Sequence, residues 1–70
     1  MKIIYDQNYD ILQIELRPGT VSARGPSHRV NEHISIVMDE NGAPGAITIE
    51  HAAANITEPG TIEFRKIITL

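Results

Sequence analysis

Three histidines, His28, His33 and His51, are the residues of this chain best suited to hold a metal ion. Neutral imidazole binds borderline divalent ions, and a carboxylate from Glu32 or Glu50 would extend the ligand set if His33 and His51 lie on neighbouring strands. No tight ligand spacing accompanies them, and histidines at strand ends are ordinarily half-exposed surface residues, so no metal or cofactor is assigned. Asp6, Asp10, Asp39, Glu40 and Glu50 supply carboxylates for acid/base work on paper. That chemistry needs a desolvated carboxyl with a raised pKa, whereas these fall in turn-forming surroundings that water reaches. Ser22, Ser27 and Ser35 have no GxSxG-like context. No catalytic residue is assigned, and the chain is read as non-enzymatic.

Arg17, Arg24, His28 and Arg29 make the section between two apolar regions locally positive, and Arg17, Arg24 and Arg29 are candidate partner contacts. A net charge of −3 over 70 residues lacks the electrostatic footprint of a nucleic-acid binder. Of the three aromatics only Tyr9 is placed to stack near that section, so an acidic protein surface fits it at least as well as RNA or DNA, and a solvated loop fits it better than either. There is no cysteine, which excludes disulfides and thiolate zinc sites. The start, MKIIYDQNYD, has acidic residues where a signal peptide needs an apolar run, and no apolar stretch has the length of a membrane span. A cytoplasmic protein with no membrane partner is expected.

These residues are positioned by elements of short period. In HISIVMDENGAPGAITIEH, residues 33–51, Ile34, Ile36 and Met38 alternate with Ser35, Val37 and Asp39, and Ile47 and Ile49 alternate with Thr48 and Glu50. The two runs form a hairpin. Asp39 can accept from backbone two residues on, and Asn41 and Gly42 tolerate positive φ. Pro44 has no amide hydrogen, so the second strand starts after it or places it on an edge. Upstream, Lys2 to Tyr5 and Ile11 to Leu16 make a second hairpin across Asp6 to Asp10, with Leu12, Ile14 and Leu16 on the buried face and Ile3 and Tyr5 joining them.

Arg17-Pro18-Gly19 ends that strand. A short strand is expected within Thr20 to Arg24 or His28 to Glu32, because a structureless loop of this length is unusual in a small domain. Glu50 to Ile56, with three alanines, suits one or two helical turns, and Thr57-Glu58-Pro59-Gly60 is a break. Residues 61–70 alternate at first and are read as a C-terminal strand. The expected fold is mainly β (α+β): one small domain over 1–70, an antiparallel meander of four to five strands with one short helix.

The pattern Met1-Lys2-Ile3-x-Tyr5-Asp6, Asp10-x-Leu12-x-Ile14-x-Leu16 and Asp39-Glu40-x-Gly42-x-x-Gly45-x-x-x-Glu50 resembles the small bacterial and archaeal family called domain of unknown function 2283, over roughly Met1 to Ala54. The resemblance implies that Asp6, Asp10, Asp39, Gly42 and Gly45 are structural turn residues. The chain departs from the family at Ala46, usually a larger aliphatic, at Ala52 to Ala54, usually polar with a Lys or Arg, and in its basic middle. The family has no established activity; in size and apparent gene context its members resemble partners of small toxin-like proteins.

A domain this small has a marginal core, so association is expected. Phe64, Ile67 and Ile68 in the tail are the further candidate contacts, and a terminal strand offers an edge for pairing in a homodimer. The function expected is that of a protein-binding module of the antitoxin type, covering a small protein partner. A structural homo-oligomer is the alternative, and a metal-binding protein the third.

Overall fold

The computed structural model describes residues 1–20, 26–56 and 58–68. Five strands form one antiparallel sheet: β1 (Lys2–Asp6), β2 (Ile11–Glu15), β3 (Ser27–Arg29), β4 (Ile34–Met38) and β5 (Pro44–Glu50), followed by the single-turn helix α1 (Ala52–Asn55). The fold is mainly β with one short helix, as the alternation and the alanine run predict. The order across the sheet is β1-β2-β5-β4-β3. A hairpin (β1, β2) and a three-strand meander (β3, β4, β5) are joined through β5, which pairs β2 from Ile11↔Glu50 to Glu15↔Ala46 and β4 from Ile34↔Ile49 to Met38↔Pro44. Pro44 opens β5, where its missing amide hydrogen breaks least of the ladder.

Of the two places expected for a middle strand, β3 realises part of the second; residues 21–24 of the first lie outside the described residues. β3 runs back from the Asn31 turn, where the Asn31 side-chain carbonyl accepts from the amides of His33 (2.8 Å) and Ile34 (2.9 Å).

Of the strand expected over 61–70, the described part, 61–68, has no regular secondary structure, and 69–70 lie outside the described residues. An alternating pattern needs an edge to pair with, and β1 and β3, the edges of this sheet, take no strand from it.

The core is minimal. Among the described residues only Leu12, Ala46 and Ala52 are buried apolar side chains. Ile3 and Leu16, expected in the core, are 38% and 40% exposed. Ile3 is on edge strand β1 and Leu16 lies just past the end of β2, so each lacks neighbours on one side. Every substantial contact between elements is between neighbouring strands, and the molecule is a slab of 36 × 34 × 20 Å.

Candidate functional site

Each of the turns expected from Asp and Gly has a distinct construction. At the β4–β5 reversal the Asp39 carboxylate accepts from the amides of Asn41 and Ala43, both at 2.9 Å, and Gly42 takes the positive φ (+80°) that an L side chain resists. Asp39 also pairs with the Arg17 guanidinium at 3.2 Å. The amide of Ala43, then that of Asn41 and the charge of Arg17, hold its carboxyl below the usual Asp value against an opposing desolvation. A poised acid would need the opposite shift. At the β1–β2 turn Asp6 accepts from the amide of Asn8 at 3.0 Å.

Asp10 does more than turn the chain. It sits at φ +55°, its carboxylate accepts the Tyr5 hydroxyl at 2.7 Å and the Ala53 amide at 3.0 Å, and its carbonyl accepts the Ala52 amide at 2.9 Å. The residue before α1, His51, makes no side-chain cap, so Asp10 of the first hairpin satisfies two amides that the helix itself leaves open, one with its carboxylate and one with its carbonyl. The Asp10 contact, reinforced by desolvation and by the carboxylate's charge, raises the Tyr5 phenol above its ordinary pKa.

Gly45 is not a turn residue, contrary to expectation. It lies inside β5 with ordinary φ, and a Cβ built there would fall 2.5 Å from Thr20 Cγ2. Its carbonyl accepts the amides of Leu16 (2.8 Å) and Arg17 (3.1 Å), and the Thr20 hydroxyl lies 2.7 Å from it. The same hydroxyl is 2.6 Å from the Arg17 carbonyl and, with one proton, donates to one of the two at a time. Glycine is needed for this close approach of the buried Thr20.

His33 and His51 do meet, with Nδ1 atoms 3.3 Å apart and rings edge to face, and Glu32 reaches His33 Nε2 at 3.3 Å. His28 stands apart on β3, opposite Ile36. Two imidazoles leave a zinc ion half its usual shell, and no group of three or more His, Cys, Asp or Glu converges as a metal site among the described residues. The pair is a hydrogen-bonded contact at the open end of the hairpin, aided by the left-handed backbone of His51 (φ +52°).

The basic section is already engaged. Arg17 pairs with Asp39, and Arg29 pairs with Glu50 at 3.6 Å while donating to the carbonyls of Asn31 and Glu32. Arg24 lies outside the described residues. Beside Arg17 a cleft of about 470 Å³ is lined by Thr20, Pro26, Met38, Asp39 and Glu40, and of its two carboxylates Asp39 is committed to the turn and to Arg17. Exposed apolar groups are concentrated in the tail, at Phe64 (77% exposed), Ile67 (78%) and Ile68 (69%) with Ile62, while Met1, Tyr9 and Val30 stand out singly on the body.

The Asp10 cap and the Thr20–Gly45 contact went unseen in the sequence. A lone glycine two residues before an Ile-Thr-Ile run is a signal for close backbone approach; nothing local marks Asp10 as a helix cap. No helix of the described residues is long and apolar enough to cross a membrane.

No curated protein and no solved structure matches the chain. The family model described as protein of unknown function (DUF2283) matches residues 2–52, from β1 to the first residue of α1, and leaves the tail outside. With most of its length matched, including the Asp10 and Asp39 turns and all five strands, the chain belongs to the DUF2283 family.

Proposed function

We propose that the protein is a non-catalytic, cytoplasmic protein-binding module of the antitoxin type, which covers a small protein partner with its C-terminal tail and acts by occlusion. The observation that carries this reading is the tail itself: Phe64, Ile67 and Ile68 stand in solvent on a segment without regular structure, beyond the family-matched body. Apolar anchors on an unpaired segment suit a groove or a sheet edge on a partner, which would supply the backbone pairing that the chain's own sheet does not. Aromatic and aliphatic anchors of this kind dominate binding energy when desolvated. Arg17 and Arg29 contribute less than the basic section suggests, since both are ion-paired within the chain.

The test is co-purification of the tagged chain from its native host, with mass spectrometry, beside a variant carrying Phe64→Asp, Ile67→Asp and Ile68→Asp. A small protein retained in stoichiometric amount by the first and lost by the second is the expected result. Retention by both, or by neither, removes the tail from the function. A structural homo-oligomer is the second reading, and the sheet favours it.

A further inference from the structure

Side chains of directly paired residues share a face of a sheet, so the register places Ile3, Ile14, Ile47 and Ile36 in one row across β1, β2, β5 and β4, and Tyr5, Leu12, Ile49 and Ile34 in the next. The opposite face reads Lys2, Glu15, Ala46, Val37 in one row and Ile4, Gln13, Thr48, Ser35 in another. One face is thus apolar and the other mixed. Of the apolar face only Leu12 is buried, Ile3 is exposed, and the remaining isoleucines are half-buried. An antiparallel sheet ordinarily packs one such face on a second layer. Among the described residues α1 is a single turn at one end, and no other element packs on the sheet.

We propose that a second copy of this chain is the missing layer: two sheets pack apolar face to apolar face about a two-fold axis. The size of the uncovered surface supports this occupant. The accessible surface is 5566 Å², against about 4300 Å² expected of a compact chain of this mass. The radius of gyration is 13.1 Å, against about 11 Å. The tail accounts for part of the excess. The sheet face alone, four strands at ~4.8 Å spacing and roughly five residues long, measures about 20 by 17 Å in projection. Two such faces total about 680 Å² in projection, and side-chain relief raises the area buried into the range of weaker interfaces below about 1,200 Å².

The chemistry of the face favours a copy of itself. Across β1, β2, β5 and β4 neither row holds a charged residue that would call for a complementary one; the Tyr5 hydroxyl already donates to Asp10, and His28, opposite Ile36 on edge strand β3, ends the first row at the margin of the face. A two-fold contact places like on like, which aliphatic rows tolerate and charged rows do not. The pairing lies within the family-matched body and does not depend on the tail's role.

The test is sedimentation equilibrium of the full chain with three variants: Ile3→Lys on the proposed face, Ile4→Lys one residue away on the other face, and the triple tail variant. The wild type is expected at twice its 7.7 kDa at tens of micromolar. Ile3→Lys is expected to weaken the dimer at least tenfold, and Ile4→Lys and the tail variant to leave it. In a mixed sample of labelled and unlabelled chains, NMR contacts between the methyl groups of Ile14, Ile36 and Ile47 of different copies are expected, and they serve if Ile3→Lys does not fold. A monomeric wild type at several hundred micromolar overturns the proposal. So does a dimer without those methyl contacts, or one abolished by the tail variant alone. Loss of partner capture by the tail variant with the dimer intact separates this proposal from the preceding one.

Discussion

The carboxylate of Asp10 accepts the backbone amide of Ala53 across 43 positions of sequence, and through that contact the first turn of the chain holds the start of its helix. Hydrophobic burial contributes little at this point, since α1 buries only Ala52. Asp10→Ala removes the cap and leaves a Cβ residue at φ +55°, whereas Asp10→Asn retains an acceptor and tolerates that backbone. The expected cost is about 1–2 kcal/mol for alanine, and less than half of that for asparagine. Urea unfolding at fixed protein concentration measures both; equal losses would mean that the charge, not the cap, matters.

Two glycines fail differently when substituted. Gly42 has open space around it, so Gly42→Val costs only the left-handed backbone, about 1–2 kcal/mol or somewhat more for a β-branched residue. Gly45→Ala drives a methyl into Thr20 and is expected to cost about 1–3 kcal/mol. Thr20→Ser removes the nearer clashing atom and keeps the hydroxyl, so the double variant Gly45→Ala/Thr20→Ser is expected to recover part of that loss. A double-mutant cycle from thermal melts decides: strict additivity would place the Gly45 defect elsewhere.

The histidine pair is expected to be dispensable. His33→Ala with His51→Gly keeps the backbone at 51 comfortable, and the melting temperature and oligomeric state are expected to stay unchanged with or without zinc. His51→Val alone is expected to destabilise, because its backbone has φ +52°. A wild-type melting temperature that falls on adding a chelator, with no such fall in the double variant, would establish a metal site.

Asp39 links stability to acid. Its carboxyl titrates lower in the folded chain than its ordinary value of 3.8, so the unfolded chain binds the proton more readily. The stabilisation is therefore fully present above the ordinary value and is lost as pH falls through the folded one. Melting temperature is expected to drop below about pH 4. Asp39→Asn keeps an acceptor for Asn41 and Ala43, lowers stability near neutrality and flattens the acid limb. An acid limb of unchanged steepness in that variant would assign it to other carboxylates.

The features legible in the sequence are those made by neighbours in the chain. The reversals at Asp6 and Asp39, the positive φ of Gly42 and the one-turn helix follow from residue types a few positions apart. The β2–β5 pairing, the Asp10 cap and the seat of Thr20 on Gly45 join residues 25 or more positions apart, and their local residue types are ordinary. The tail misled for a related reason: period-two alternation in 61–65 marks a capacity to pair, but a strand forms only when an edge is engaged, and 61–68 pair with neither β1 nor β3. The apolar run at Phe64, Ile67 and Ile68 is legible from residue type alone, whereas the pairing of Arg17 with Asp39 and of Arg29 with Glu50 depends on which strands meet.

The strand order has a consequence for the chain as it is made. Among the described residues β5, at the centre of the sheet, is the last strand to be synthesised, and the two halves it joins share no other pairing. Until Glu50 has emerged, β2 and β4 both show bare inner edges of the kind that recruit stray strands. Assembly is therefore a closing step that waits for the keystone, dominated by its β2 contacts of high sequence separation. A nascent chain halted before Pro44 lacks not a border but the seam of the sheet.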